Sequence, residues 1–292
     1  MLRLFPFSSA RRGQRSKVVF LHAPKTGGTT FSRVLQRIYG DSYGFFDDDA
    51  ADVFARDLEA YGCTEVHATL KGDLLVWGTK NIMQESNWRL FDGVKVFVMF
   101  REPVAHYISS FYQSKKFKKT LERTAAWQQF CPDTLDEYLE SPRNNNPQMK
   151  FLLGIEPGDD RALTDADLEH AKRLISTLGI KVGILERYSE SLHLFENVTG
   201  SKISLGIVVV RNKNQVPQAE RVIDDATRQR IRNMNALDQQ LYDYAAKVFE
   251  DQIAGCGPCP RYRYLSEHSP VRRLASRFGK FWLSTRYKIP SS

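Results

Sequence analysis

The 292-residue sequence contains no run of about 18 apolar residues, so no segment reads as a membrane-spanning helix. A secretory leader is not expected either. Met1 to Lys17 offers only Leu2, Leu4, Phe5 and Phe7, too few for the apolar core of a signal peptide. Cysteine is scarce, with four in the chain: Cys63, Cys131, Cys256 and Cys259. A structural zinc site needs four clustered ligands, and only Cys256 and Cys259 stand close in sequence. Cys256-Gly-Pro-Cys259 copies a redox tetrapeptide. It follows a helical pattern instead of leading from a strand into a helix, so a tight turn is expected. Low cysteine and no leader together suggest a reducing cytoplasm. No internal repeat is present.

What is there supports a folded enzyme-sized domain. Hydrophobic residues make up 42% and aromatics 12%, enough for a sizeable core. The net charge is +8, but it is unevenly placed. Residues 261–292 hold eight basic residues against one acid, which leaves 34 basic and 33 acidic residues for positions 1–260. The globular part is therefore close to neutral, and nucleic acid is not an expected partner. Three regions follow: a basic arm at 1–16, an α/β domain at 17–255 and a basic tail at 256–292. In the tail, Val271, Leu274, Phe278, Phe281, Trp282 and Tyr287 alternate with arginines and lysines. That pattern suits an anionic membrane surface, a polyanionic glycan or packing onto the domain.

The most informative stretch is Lys17 to Phe31, KVVFLHAPKTGGTTF. Val18 to Leu21 reads as a short buried strand. Phe31, Val34, Leu35 and Ile38 have helical spacing. Strand, glycine-rich turn and helix make an anion site, because helix-start amides lack intrahelical partners and sit at the positive dipole end. Gly27 and Gly28 allow close backbone approach, Lys25 adds charge, and Thr26, Thr29 and Thr30 add hydroxyls. The loop is not a Walker A sequence, which places its lysine after the second glycine.

Further along, Glu65 to Leu70 reads as one strand with Glu65, His67 and Thr69 on one face. Asp47 to Asp49 reads as a loop into a helix. Val94 to Phe100 is almost continuously apolar, as buried parallel strands are, and runs into Arg101-Glu-Pro103 and a helix. Lys115 to Lys119 is a basic run that suits either a helix C-terminus or a polyanionic acceptor. A short helix at 135–139, an amphipathic helix at 163–178, a strand at 181–186, a helix at 188–198, an extended segment at 203–210 and one long helix at 224–253 complete the reading. Alternating strands and helices predict a three-layer α/β/α domain with a central parallel sheet. Ligands bind such sheets at the strands' carboxyl ends, where Lys25 and Arg101 both fall.

PKTGGTT resembles the 5′-phosphosulfate loop of sulfotransferases that use 3′-phosphoadenosine 5′-phosphosulfate (PAPS). VKVFVMFREPVAHYISSFY resembles their 3′-phosphate motif, Arg-x-Pro with a serine eight residues after the arginine. Here His106 stands where relatives often carry arginine. Asn146 to Gly154, Val182 to Leu192 and Leu241 to Phe249 resemble later family segments, so the likeness runs in order over roughly residues 17–250. Within the superfamily the chain looks like the branch of heparan-sulfate 2-O-sulfotransferases and their bacterial relatives. The resemblance implies a P-loop-nucleotide-hydrolase-like fold, PAPS as donor without a required metal, and a carbohydrate hydroxyl as acceptor. It assigns the 5′-phosphosulfate to Lys25, Thr26, Gly27, Gly28, Thr29 and Thr30, and the 3′-phosphate to Arg101 and Ser109. His67 is the implied base, with an imidazole suited to proton transfer near neutral pH. Lys25 is the charge at the leaving phosphate. Glu65 is the reserve base, and Lys115, Lys116, Gln148 and Lys150 are further substrate candidates. His22 reads as a structural neighbour of the phosphate site. A nucleotide-dependent kinase and a non-catalytic glycan- or membrane-binding protein remain the alternatives.

Overall fold

The computed structural model describes residues 17–46, 48, 50–71, 74–120, 132–156, 159–203, 206–210 and 223–266. The arm at 1–16, Asp47, Asp49, Cys131 and residues 267–292 of the tail lie outside the described residues. The core is a five-stranded, all-parallel sheet flanked by helices, in the order β2-β3-β1-β6-β7. Its strands are β1 (Val18–Leu21), β2 (Tyr43–Phe46), β3 (Cys63–Val66), β6 (Lys95–Phe100) and β7 (Lys181–Ile184). The α/β sheet expected from the strand–helix alternation is present.

β1 is central, and its four residues are all buried. It pairs with β3 on one side, Leu21 opposite Val66, and with β6 on the other, Leu21 opposite Val98. β6 runs two residues further, to Phe100. The ends of β1 and β6 are thus neighbours, and the loops that follow them must meet.

Helix α1 (Gly28–Tyr39) follows β1 directly. Phe31 anchors its first turn, with its ring 4.7 Å from Phe20, 6.1 Å from Phe97 and 5.2 Å from Phe195. This aromatic cluster joins β1, β6, α1 and helix α8 (Tyr188–Thr199). Burying such rings contributes roughly 1.5–3 kcal/mol each and fixes where the helix begins. The glycine turn before it is fixed as a consequence.

Two expected elements differ. The strand foreseen at 65–70 ends at Val66, and β4 (Ala68–Lys71) forms a separate antiparallel pair with β5 (Leu74–Trp77). His67 is the residue between them. Its amide still donates to Phe46 O at 3.4 Å, and its carbonyl accepts from Gly78 N at 3.0 Å. The strand breaks because its parallel partners end at Leu21 and Phe46. The long helix foreseen at 224–253 is two helices, α9 (Asp225–Met234) and α10 (Ala236–Ala254), separated by Asn235. Asn235 leaves helical geometry (φ −115°, ψ 33°), and its Oδ1 accepts from Asn146 N at 2.8 Å. A long-range bond, invisible to periodicity, breaks the helix.

The remaining helices are α2 (Ala51–Ala60), α3 (Thr79–Ile82), α4 (Pro103–Thr120), α5 (Leu135–Glu140), α6 (Pro147–Leu152) and α7 (Asp165–Thr177). The start of the expected tail carries β9 (Arg263–Ser266), paired in parallel with β8 (Ile207–Val210). Cys256 and Cys259 are free thiols after α10, outside any strand-to-helix turn.

Candidate active site

The glycine turn after β1 uses two left-handed residues in succession of three: Lys25 (φ 65°) and Gly27 (φ 86°). A left-handed lysine is uncommon and marks a backbone held by its surroundings. Thr26 Oγ1 donates to Ala23 O at 2.8 Å, so this buried hydroxyl closes the turn. That differs from its expected role as a hydroxyl donor to ligand. Among the described residues, the amides of Thr26, Gly27, Gly28 and Thr29 make no close, well-aligned backbone hydrogen bond. These amides are the donors a phosphate-like group takes at a helix start.

Gly28 has a specific steric reason. A Cβ there would lie 2.0 Å from His22 Cδ2 and 2.2 Å from His22 Nε2. The His22 ring therefore forms the floor of the turn. Its other nitrogen, Nδ1, lies 2.5 Å from Glu65 Oε1, whose carboxylate accepts the bond. Glu65 is 1% exposed, so it works from inside the sheet. His67, two residues on from Glu65, sets its ring edge-on to His22, centroids 4.6 Å apart at 87°. His67 is half-buried, whereas His22 and Glu65 are buried. Ligand atoms of the three lie within 4.8 Å of one another, a donor set a metal ion could use. The His22–Glu65 bond would have to yield to such an ion.

The turn after β6 faces the first. The Arg101 guanidinium donates to Lys25 O at 3.1 Å, and His106 Nε2–H, from the first turns of α4, donates to Pro24 O at 2.8 Å. Burial, with Arg101 and Lys25 nearby, lowers the His106 pKa to about 4, so it is the neutral donor at ordinary pH. Lys25 is lowered to about 8, by burial first and then by Arg101 and Lys116. Cations crowd this turn, and an anion placed among them relieves the crowding. Ser109 is buried on α4, six residues after Pro103. Lys115 is exposed on the same helix, its ammonium 5.5 Å from the Phe111 ring centroid, and Lys116 is exposed beside it.

Gln148 and Lys150 sit elsewhere than a substrate contact would require. Gln148 is 2% exposed, and its carboxamide bonds the backbone of Arg101. Lys150 is equally buried and donates to the carbonyls of Pro142, Arg143 and Asp159. Both hold the loops behind the site. Sequence reasoning did not single out His106 or Asp238 for roles here. Asp238 had a readable signal: it shares a helical stripe with Leu241, Ala245 and Phe249, all buried.

Comparison with known proteins agrees with this geometry. A family model described as "Sulfotransferase family" matches residues 10–154, which contain both turns and His67. Heparan-sulfate 6-O-sulfotransferase 2 of Gallus gallus is 26% identical, over 88% of this chain and 70% of its own length. Heparan-sulfate 6-O-sulfotransferase 1-B of Danio rerio is 24% identical over the same shares. Heparan-sulfate 6-O-sulfotransferase 1 of Homo sapiens is 25% identical over 80% of this chain and 66% of its own length. Together with the parallel sheet, this family model and these relatives support a sulfotransferase enzyme.

Proposed function

We propose that the chain transfers a sulfuryl group from PAPS to a hydroxyl of a carbohydrate, with His67 as the base. The observation that carries this reading is the locking of two cationic turns, at Lys25 and Arg101, beside the His22–Glu65–His67 group. The turns fit PAPS, because unbonded amides and crowded cations at Lys25 suit an anion. The 5′-phosphosulfate belongs to Lys25 through Thr30, and the 3′-phosphate to Arg101 and Ser109. When bound, PAPS supplies the activated sulfuryl group and leaves as PAP. A sulfuryl group carries less charge than a phosphoryl group, so Lys25 can meet the leaving charge without a required metal.

Among the three clustered groups, exposure favours His67 as the base. Glu65 is sealed in the sheet and holds His22, and His22 lies under Gly28. His67 alone of the three is not buried. It takes the acceptor hydroxyl proton, and Glu65 is assigned to positioning. The relatives' names point to the 6-O position of a heparan-type sugar, whereas the sequence motifs resemble the 2-O branch. Lys115 and Lys116 are exposed cations on α4 that an anionic acceptor would meet.

The test is sulfate transfer from ³⁵S-labelled PAPS to a panel of polysaccharides and small sugars, beside calorimetric titration of PAP. Turnover of His67→Ala should fall by roughly 10²–10⁴-fold, with PAP affinity unchanged. Full turnover in His67→Ala removes the base assignment. Tight ATP binding with Mg²⁺ and none of PAP removes the donor assignment.

A further inference from the structure

Arg101 is positioned by a chain of buried polar groups that reaches α10. Gln148 Oε1 accepts from Arg101 N at 2.9 Å, and Gln148 Nε2 donates to Arg101 O at 2.9 Å. One carboxamide thus occupies both backbone groups of a single residue, in the way a neighbouring strand would. β6 has just ended at Phe100, so this contact replaces the sheet ladder at the point where the chain turns. Gln148 is fixed in turn. Asp238 Oδ2 accepts from Gln148 N at 3.1 Å, and Oδ1 accepts from Met149 N at 2.8 Å. Asn146 ties the same segment twice: its amide donates to Asn235 Oδ1, and its Oδ1 accepts from Asp238 N at 2.9 Å.

Every member is nearly sealed, with Asn146 8%, Gln148 2%, Asn235 1% and Asp238 2% exposed. Burial pushes the Asp238 carboxyl up to about 7, against the pull of the two amides. A buried carboxylate of this kind is costly unless its bonds are all made. Asn146 also adopts a left-handed conformation (φ 50°), which asparagine tolerates better than most residues with a side chain. A packed α6–α10 contact could have been made with apolar residues at no such cost. The polar set is directional, and its direction ends on Arg101.

We propose that Asn146, Gln148 and Asp238 are positioning residues that set Arg101 for the donor's 3′-phosphate. The proposal rests on the donor-site reading above. Arg101 must hold its place because a guanidinium gains most from a phosphate when its planar fork is aligned. A swing of the 101 backbone would move that fork and also the Arg101–Lys25 contact that joins the two turns.

A double-mutant cycle on PAP affinity tests this, with titrations at low ionic strength so that weak binding stays measurable. Gln148→Ala should weaken PAP by about tenfold in the otherwise native chain. In an Arg101→Ala background the same change should have little effect, since the group it positions is gone. Asp238→Asn should show the same non-additivity at smaller size. The Michaelis constant for PAPS should rise in Gln148→Ala while turnover at saturating PAPS stays near native. Should Gln148→Ala not fold, Gln148→Glu carries the cycle, because it keeps the acceptor for Arg101 N and loses the donor to Arg101 O. Equal loss of PAP affinity in both backgrounds overturns the positioning role alone. An Arg101→Ala protein that binds PAP as the native chain does overturns the donor-site reading and this proposal with it.

Discussion

The two turns that face each other at the carboxyl end of the sheet are built in opposite ways. The turn after β1 is local. Its shape comes from Lys25 and Gly27 in left-handed geometry, Thr26 bonded back to Ala23, and a glycine over the His22 ring. The turn after β6 is assembled from afar. Arg101 is held by Gln148, 47 residues on, and Gln148 by Asp238, 90 residues beyond that. The Glu102 amide donates to Glu186, 84 residues later. A local turn fails by steric clash, whereas a distributed one loses position by degrees. The first should be intolerant at single positions and the second graded across several.

The largest expected break is Gly28→Ala. A new Cβ 2.0 Å from an imidazole carbon must move either the loop or His22. Overpacking of this kind costs about 1–3 kcal/mol. The displaced atoms belong to the turn proposed to hold the donor, so PAP affinity should fall by about tenfold to a hundredfold, with a lowered Tm. Native-like PAP titration in this variant would show that the turn is not close-packed on His22.

A second test asks whether the two turns share one electrostatic field. An anion binds the protonated form of Lys25, whose pKa without ligand is lowered to about 8. PAP affinity should therefore be level below pH 8 and weaken as pH rises through it, by up to about tenfold per unit. Lys25→Arg should move that fall to higher pH. Arg101→Ala removes one of the charges that depress Lys25, so the midpoint of the fall should also move up. An unchanged midpoint would mean that the turns are electrostatically separate.

The smallest effect is expected at the bond that ties α4 to the first turn. His106→Ala loses the donor to Pro24 O and should cost about 1–3 kcal/mol in stability, measured by chemical denaturation. PAP affinity should change by only a few fold, since Arg101 still bonds Lys25 O. With the His106 pKa lowered to about 4, the native chain should show no transition from this residue between pH 5 and 7. A larger loss of affinity than of stability would place His106 in direct ligand contact.

The contrast between the turns also explains what could be read in advance. The first turn was legible because strand, glycines, lysine and helix stand within 15 residues. Gly28 was readable as a close approach, but the partner His22 was only a neighbour in sequence until the ring was placed beneath it. The strand at Glu65 was legible in its apolar pattern and its end was not, because it stops where Leu21 and Phe46 stop. Gln148 and Lys150 are substrate candidates only through the family resemblance. The fold instead turned one onto Arg101 and the other onto three carbonyls. Residue type announces capacity for polar contact, and burial decides with whom.

By itself the sequence determined the alternation that gives a parallel sheet, and a cationic glycine turn at the start of α1. Both depend on short-range periodicity and backbone preference, which neighbouring residues encode. Tertiary structure alone decided that Glu65 lies sealed against His22, that His67 stands at a strand break, and that Arg101 is set through Gln148 by Asp238. These are contacts between residues tens of positions apart. They exist only once packing has excluded water and brought distant polar groups within reach of one another.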